Sequence, residues 1–184
     1  MSLSTLLQNI ADAEQGPKTC AVFDFDGTII SGYSATAFLK DQIARGEISP
    51  ADLVQLTQAA TRFGIGSLGF SALMAVHAQY LAGRSEADYV ANSERLFRRA
   101  IAKLIYPEAR QLIEAHRAAG HSIAIISSAT PYQVLPAARD LGIEHVYATD
   151  LQVEDGQFTG GVVQPTCFGT VSYTHLTLPT ILLV

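Results

Sequence analysis

Cys20-Ala21-Val22-Phe23-Asp24-Phe25-Asp26-Gly27-Thr28-Ile29-Ile30 sets two carboxylates two residues apart at the end of a short apolar segment, with a Gly-Thr pair directly behind them. Thr19 to Phe25 is too short for a stable helix and is rich in Val and Phe, so it reads as a buried strand whose far end opens into a loop. Strand ends carry catalytic groups in open α/β sheets. Two aspartates this close repel one another unless a cation lies between them. A hard divalent ion such as Mg²⁺, which prefers oxygen ligands, is the economical partner for Asp24 and Asp26. A chance Asp-x-Asp in a polar turn explains the bare triplet, but not the apolar run before it and the turn residues after it.

The 184 residues are 48% hydrophobic, enough to bury a core as one domain plus an insert. A formal charge of -5 and no basic cluster larger than Arg98-Arg99 argue against a nucleic-acid surface and favour a small-molecule substrate. Cys20 and Cys167 have no repeating spacing, so they suggest reduced thiols rather than a disulfide framework or zinc site. MSLSTLLQNIADAEQ lacks a basic start and carries Asp12 and Glu14 within its apolar pattern, unlike a secretory signal, and the cytoplasm is the default expectation.

Leu3, Leu6, Leu7 and Ile10 recur at helical spacing behind Ser2 or Ser4, and Gly16-Pro17 stops that helix before the first strand. From about Tyr33 to Leu104 the pattern is helical only. Four segments begin at Ser34, Ser49-Pro50, Ser67 and Ser85, and the first three end at Gly46, Gly64 and Gly83. Residues 33–104 therefore predict a four-helix cap inserted after the first strand. Ile65 to Ala82 is apolar, but Ser67, Ser71, His77 and Gln79 interrupt it too often for a membrane span. Then the α/β rhythm returns: a helix from Pro107 to Gly120, a strand at Ser122–Ser127, a helix from Pro131 to Gly142 and a strand at Val146–Thr149. A hairpin follows around Asp155-Gly156. A helix between strands of one sheet implies parallel pairing.

The string around Asp24 resembles the first motif of the haloacid dehalogenase-like hydrolases, most of which are phosphatases. The resemblance implies that Asp24 is a nucleophile forming an aspartyl-phosphate. Asp26 would protonate the leaving oxygen and then help deprotonate water. Gly27 would allow the sharp turn, Thr28 would close it through its hydroxyl, and both would lie at the phosphate. Ser127, at the tip of SIAIISSAT, matches the family's phosphate-binding Ser or Thr, with Ser128 beginning the turn and a helix N-terminus following. The cap, IYPEARQLIEAHRAAGH, VEDGQFTG and PTCFG are similar to phosphoserine phosphatase-like members, and most of all to the domain that precedes a lysophospholipid acyltransferase domain in some bacterial proteins. In that group Gly-Lys follows the PTCFG region, and a later acidic motif completes the Mg²⁺ site; neither occurs here.

The expected fold is thus a Rossmann-like three-layer α/β parallel sheet with a helical cap, lacking its last strands. Residues 1–32 and 105–170 would form the core. The expected function is Mg²⁺-dependent hydrolysis of a small phosphomonoester, impaired in this chain. The alternatives are a non-catalytic, regulatory domain fused to an acyltransferase and a phosphotransferase.

Gly64-Ile-Gly66-Ser-Leu-Gly69 matches G-x-G-x-x-G, but TQAATRF before it is helical, and a dinucleotide loop needs a strand there. A hinge between cap helices explains it. His77, His116, His121 and His145 lack metal spacing. Arg84, Arg95, Arg98 and Arg99 could reach a substrate, although a solvated helix face is the ordinary fate of such residues. Finally, Val171 to Thr180 back-translates as GTC TCT TAT ACA CAT CTG ACG CTG CCG ACG, which resembles the end of a transposase-based sequencing-library adapter. Residues 171–184 are therefore expected to be a non-native tail, and His175 is set aside as a ligand. The first strand is expected to be left as a bare edge; LTLPTILLV is apolar enough to cover it by chance, with Pro179 as an obstacle to its use as a strand.

Overall fold

A computed structural model describes residues 2–168 and the backbone of 180–183. Four parallel strands form the main sheet in the order β3-β2-β1-β6: β1 (Thr19–Phe23), β2 (Ser122–Ile126), β3 (His145–Tyr147) and β6 (Thr180–Leu183). Every residue of β1 is buried. The alternation of side chains along a strand sends Ala21 and Phe23 into the larger core with Phe25, Ile113, Ile125 and Val134. Cys20 and Val22 point the other way, into a small cluster with Ala124, Ile126 and Cys167. A strand covered on both faces cannot show a polar alternation, which is why Thr19–Phe23 reads as a continuous apolar run.

The bare edge expected at β1 does not occur. Thr180–Leu183 pairs with it in parallel, from Thr19 opposite Thr180 to Val22 opposite Leu183, so residues set aside as a tail supply the hydrogen bonds of that side. Pro179, named as an obstacle to such a strand, lies outside the described residues, as do His175 and the rest of 169–179.

The cap consists of α2 (Ser34–Ala44), α3 (Pro50–Gly64), α4 (Phe70–Leu81) and α5 (Glu86–Arg99). Ser49 and Ser85 cap α3 and α5 by accepting from the Asp52 and Asp88 N–H groups, as Ser2 caps α1 (Leu3–Asp12). α2 begins at Ser34 as expected, with Tyr33 at its cap position and the Ser34 hydroxyl turned elsewhere. One expected start is corrected: α4 begins at Phe70, and the Ser67 hydroxyl donates to the Arg62 carbonyl. The stop of α3 also shifts: Gly64 stays helical, and Gly66 takes the left-handed conformation at φ 73°. Buried Asp41 ties the cap together, accepting from Arg45 Nε at 2.9 Å and Arg95 Nη2 at 2.8 Å.

After a 3-10 turn (Ile101–Leu104) come α6 (Pro107–Ala118), β2, α7 (Pro131–Leu141) and β3. The hairpin β4 (Leu151–Glu154) and β5 (Gln157–Val162) forms a separate sheet, turning through Asp155 and Gly156, both at positive φ. It is bonded to the cap: Gly83 N–H donates to Phe158 O, Phe158 N–H to Arg84 O, and Glu86 N–H to Gly156 O. Gly160, at φ 87°, lies so close to α4 that a Cβ there would stand 3.1 Å from Gln79 Oε1 and 3.2 Å from Ala82 Cβ. No helix among the described residues is long and apolar enough to cross a membrane.

Candidate active site

Asp24 is the first residue beyond β1, at the carboxyl end of the parallel strands. Its Oδ1 accepts from Phe25 N–H at 2.7 Å, and the residue is exposed. Asp26 is half-buried and held by one residue: Ser34 donates its N–H to Oδ1 at 2.7 Å and its hydroxyl to Oδ2 at 3.2 Å. Partial enclosure of its carboxyl raises the Asp24 pKa, the neighbouring Asp26 charge adds to the rise, and the Phe25 N–H opposes it. Enclosure also raises Asp26, against the two hydrogen bonds from Ser34.

The turn after Asp26 is built by backbone. Gly27 adopts φ 78°, its N–H donates to Ile30 O, and the Ile29 and Ile30 N–H groups both donate to Phe25 O. Thr28 contributes its own N–H, to Phe25 O at 3.4 Å; among the described residues no hydrogen bond of its hydroxyl closes the turn. Ser31 N–H donates to Leu104 O and Tyr106 N–H to Ile29 O, so the two chains linking cap and core run side by side next to the aspartates.

Ser127 follows β2 directly. The β1–β2 register, with Phe23 opposite Ile125, continues to put Asp24 opposite Ile126, so Ser127 lies on the neighbouring strand one residue past the level of Asp24. Its N–H donates to Tyr147 O at 2.9 Å, and its buried Oγ accepts from Ala129 N–H at 3.1 Å, which leaves the hydroxyl proton for a further acceptor. Ser128 is half-buried in the same turn. Behind it α7 starts with a capping box between Thr130 and Gln133.

Among the described residues no three acidic, histidine or cysteine side chains gather as a ready-made metal cage. Two hard carboxylates at a solvent-open strand end nevertheless fit Mg²⁺, which keeps several waters and takes one or two carboxylates plus a substrate phosphate. The repulsion between the two carboxylates, which adds to the effect of enclosure at Asp24, is what a cation there would relieve.

The other polar candidates lie apart from the aspartates. Arg95 and Arg99 pair with Asp41, Arg98 with Glu94, and Arg84 with Glu47 while stacking over Tyr80. His116 and His121 pair with each other in the core. A cleft of ≈ 750 Å³ between α5, α7 and β4 is lined by Glu86, Tyr132, Arg139 and Asp150 but by neither Asp24 nor Asp26. Ser34 and Gln133 are the residues that sequence reasoning missed. A serine opening a helix looks like a cap, and only the fold brings it to Asp26.

Comparisons with known proteins identify the family. Residues 21–174 match the haloacid dehalogenase-like hydrolase family, and the chain belongs to it. It is 33% identical over 155 residues to a protein of Mycobacterium tuberculosis named phosphoserine phosphatase, covering 82% of this chain and 50% of the relative. A probable phosphatase of the same organism is 31% identical over 148 residues, covering 79% of this chain and 52% of the relative. The chain thus spans about half the length of these relatives. A Bordetella pertussis protein of unknown function shares the fold with a TM-score of 0.75 at 25% identity, over 83% of this chain and 69% of the other.

Proposed function

We propose that this chain carries the catalytic site of a Mg²⁺-dependent phosphomonoesterase that works through an aspartyl-phosphate on Asp24. The observation that supports this best is the juxtaposition at adjacent strand ends of an exposed carboxylate, a second carboxylate two residues on, and a serine hydroxyl with a proton to donate. The phosphatase names of the relatives agree with it.

An Asp24 oxygen attacks phosphorus in line with the ester oxygen. As the P–O ester bond breaks, Asp26 in its protonated form gives its proton to the leaving alkoxide, and the alcohol departs. Enclosure of the Asp26 carboxyl pulls it toward that form, and a bound cation would pull the other way. Asp26, now ionised, then takes a proton from a water that attacks the acyl phosphate, releasing inorganic phosphate and regenerating Asp24. Ser127 donates its hydroxyl to a phosphate oxygen, with Ser128, Gly27 and Thr28 around it. Asp24 and Asp26 would hold Mg²⁺, which supplies charge neutralisation for the phosphate. The substrate is a small phosphorylated molecule. Because Gly-Lys does not follow PTCFG, turnover by this chain is expected to be slow.

The test is hydrolysis of an aryl phosphate by the purified chain with Mg²⁺ or with EDTA. Slow, EDTA-sensitive release that disappears in Asp24→Asn is expected; release that ignores both the chelator and the substitution would overturn the reading.

A further inference from the structure

We propose that Gln133 and Ser34 are positioning residues that lock the orientation of Asp26 and tie it to the helix behind the Ser127 turn. This inference rests on the phosphatase reading for its meaning but on hydrogen-bond bookkeeping for its support. Gln133, Ser34 and Thr130 are all buried. The Gln133 Oε1 accepts from both the Thr130 N–H, at 2.9 Å, and the Thr130 hydroxyl, at 3.0 Å. Turning the amide over would set its NH₂ against the Thr130 N–H, which can only donate, so its orientation is fixed. Its Nε2 therefore faces Ser34 and donates to Oγ at 3.0 Å. With that lone pair used, the Ser34 hydroxyl sends its own proton to Asp26 Oδ2, while the Ser34 N–H holds Oδ1.

A capping glutamine at a solvent-facing helix start would leave its NH₂ in water. Here it crosses 99 residues of sequence to the first residue of α2. Both oxygens of Asp26 are thus clamped by one residue, and that residue's hydroxyl direction is dictated from α7. The proton donor to the leaving group and the turn bearing Ser127 become one rigid unit, which keeps the acid aligned with a phosphate seated at Ser127. Neither Gln133 nor Ser34 needs to touch the substrate.

A merely structural tether would slow all substrates alike, whereas misalignment of an acid slows esters with poor leaving groups most. The experiment compares kcat/KM for an alkyl phosphate and for p-nitrophenyl phosphate in the whole 184-residue chain carrying Gln133→Leu, Gln133→Met, Ser34→Ala or Ser34→Thr. In the first three the alkyl ester should lose about tenfold more than the aryl ester, and Ser34→Thr, which keeps the hydroxyl, should restore the ratio. Equal losses would overturn the proposal. A second readout needs no turnover: the Ser34 amide proton, shifted downfield by its short bond to Asp26, should move upfield and exchange faster in whichever of the two Gln133 variants folds. An unchanged Ser34 amide would refute the clamp. If the unmodified chain hydrolyses neither ester, the phosphatase reading fails, and the amide measurement alone decides the positioning.

Discussion

The imidazoles of His116 and His121 meet Nδ1 to Nδ1 at 2.9 Å, both buried, with His116 and Phe23 in a T-shaped ring contact. His121 Nε2 must donate to the Glu14 carbonyl, so in the neutral pair its Nδ1 accepts from the Nδ1–H of His116, and the buried His116 Nε2 has no partner among the described residues. Burial, with His121 nearby, lowers the His116 pKa to about 4.

Acid should therefore loosen the fold through this pair. The unfolded chain binds the proton near pH 6.5 and the folded chain only near 4, so stability is full above about 6.5 and declines as pH falls toward 4. A loss on the order of 3 kcal/mol across that window is expected, read as urea midpoints from pH 7.5 to 4.5. His116→Phe should reduce the decline in this window without abolishing it, because the His77 imidazole, also lowered by burial to about 4, contributes in the same direction.

Asp41→Asn should destabilise the cap by about 1–3 kcal/mol, less than for a wholly buried pair because its arginines can rehydrate. Burial alone would raise this carboxyl, but Arg95 and Arg45 outweigh it and hold it below the ordinary range. Its contribution is present above about pH 4 and disappears only as pH falls further through the lowered value, so it separates from the histidine effect. Thermal melts at pH 7 and pH 5 should show the same decrement for Asp41→Asn.

Gly160→Ala should weaken the junction of hairpin and cap. The new methyl meets α4 and the residue sits at positive φ, so a loss of about 1–2 kcal/mol is expected. Hydrogen exchange should rise at the Gly83 and Phe158 amides, which join the hairpin to the cap loop, before it rises in β1.

Ser127→Ala should cost about 1–3 kcal/mol of transition-state binding, the scale for one donor to a phosphate oxygen or slightly less, together with a lowered melting temperature because the buried Ala129 N–H loses its acceptor. Ser128→Ala should cost less. A larger effect at Ser128, in steady-state kinetics with an aryl phosphate, would move the phosphate contact by one residue.

Much of this architecture is legible in the chain because its signals are local. The β1 run, the Asp155-Gly156 hairpin and the capping serines Ser2, Ser49 and Ser85 each act within a few residues. What stayed hidden depends on contacts distant in sequence. Ser34 carries the local mark of a cap yet serves Asp26, because residue 133 and the cap linker converge there. The histidine pair needs the turn between α6 and β2 to bring residues 116 and 121 together. The partner of β1 is hidden for another reason: parallel pairing requires only backbone, so Thr180–Leu183 fills the place without a side-chain signal that marks it.

The nucleophile can be tested by covalent labelling. The chain is incubated with ³²P-labelled acetyl phosphate and Mg²⁺, quenched in acid, digested and mapped by mass spectrometry. Label that is stable to acid, released by hydroxylamine, carried on Asp24 and absent from Asp24→Asn is the expected result, with Asp26→Asn retaining some of it. Label on another residue, or undiminished labelling of Asp24→Asn, would contradict an aspartyl-phosphate mechanism at this strand end.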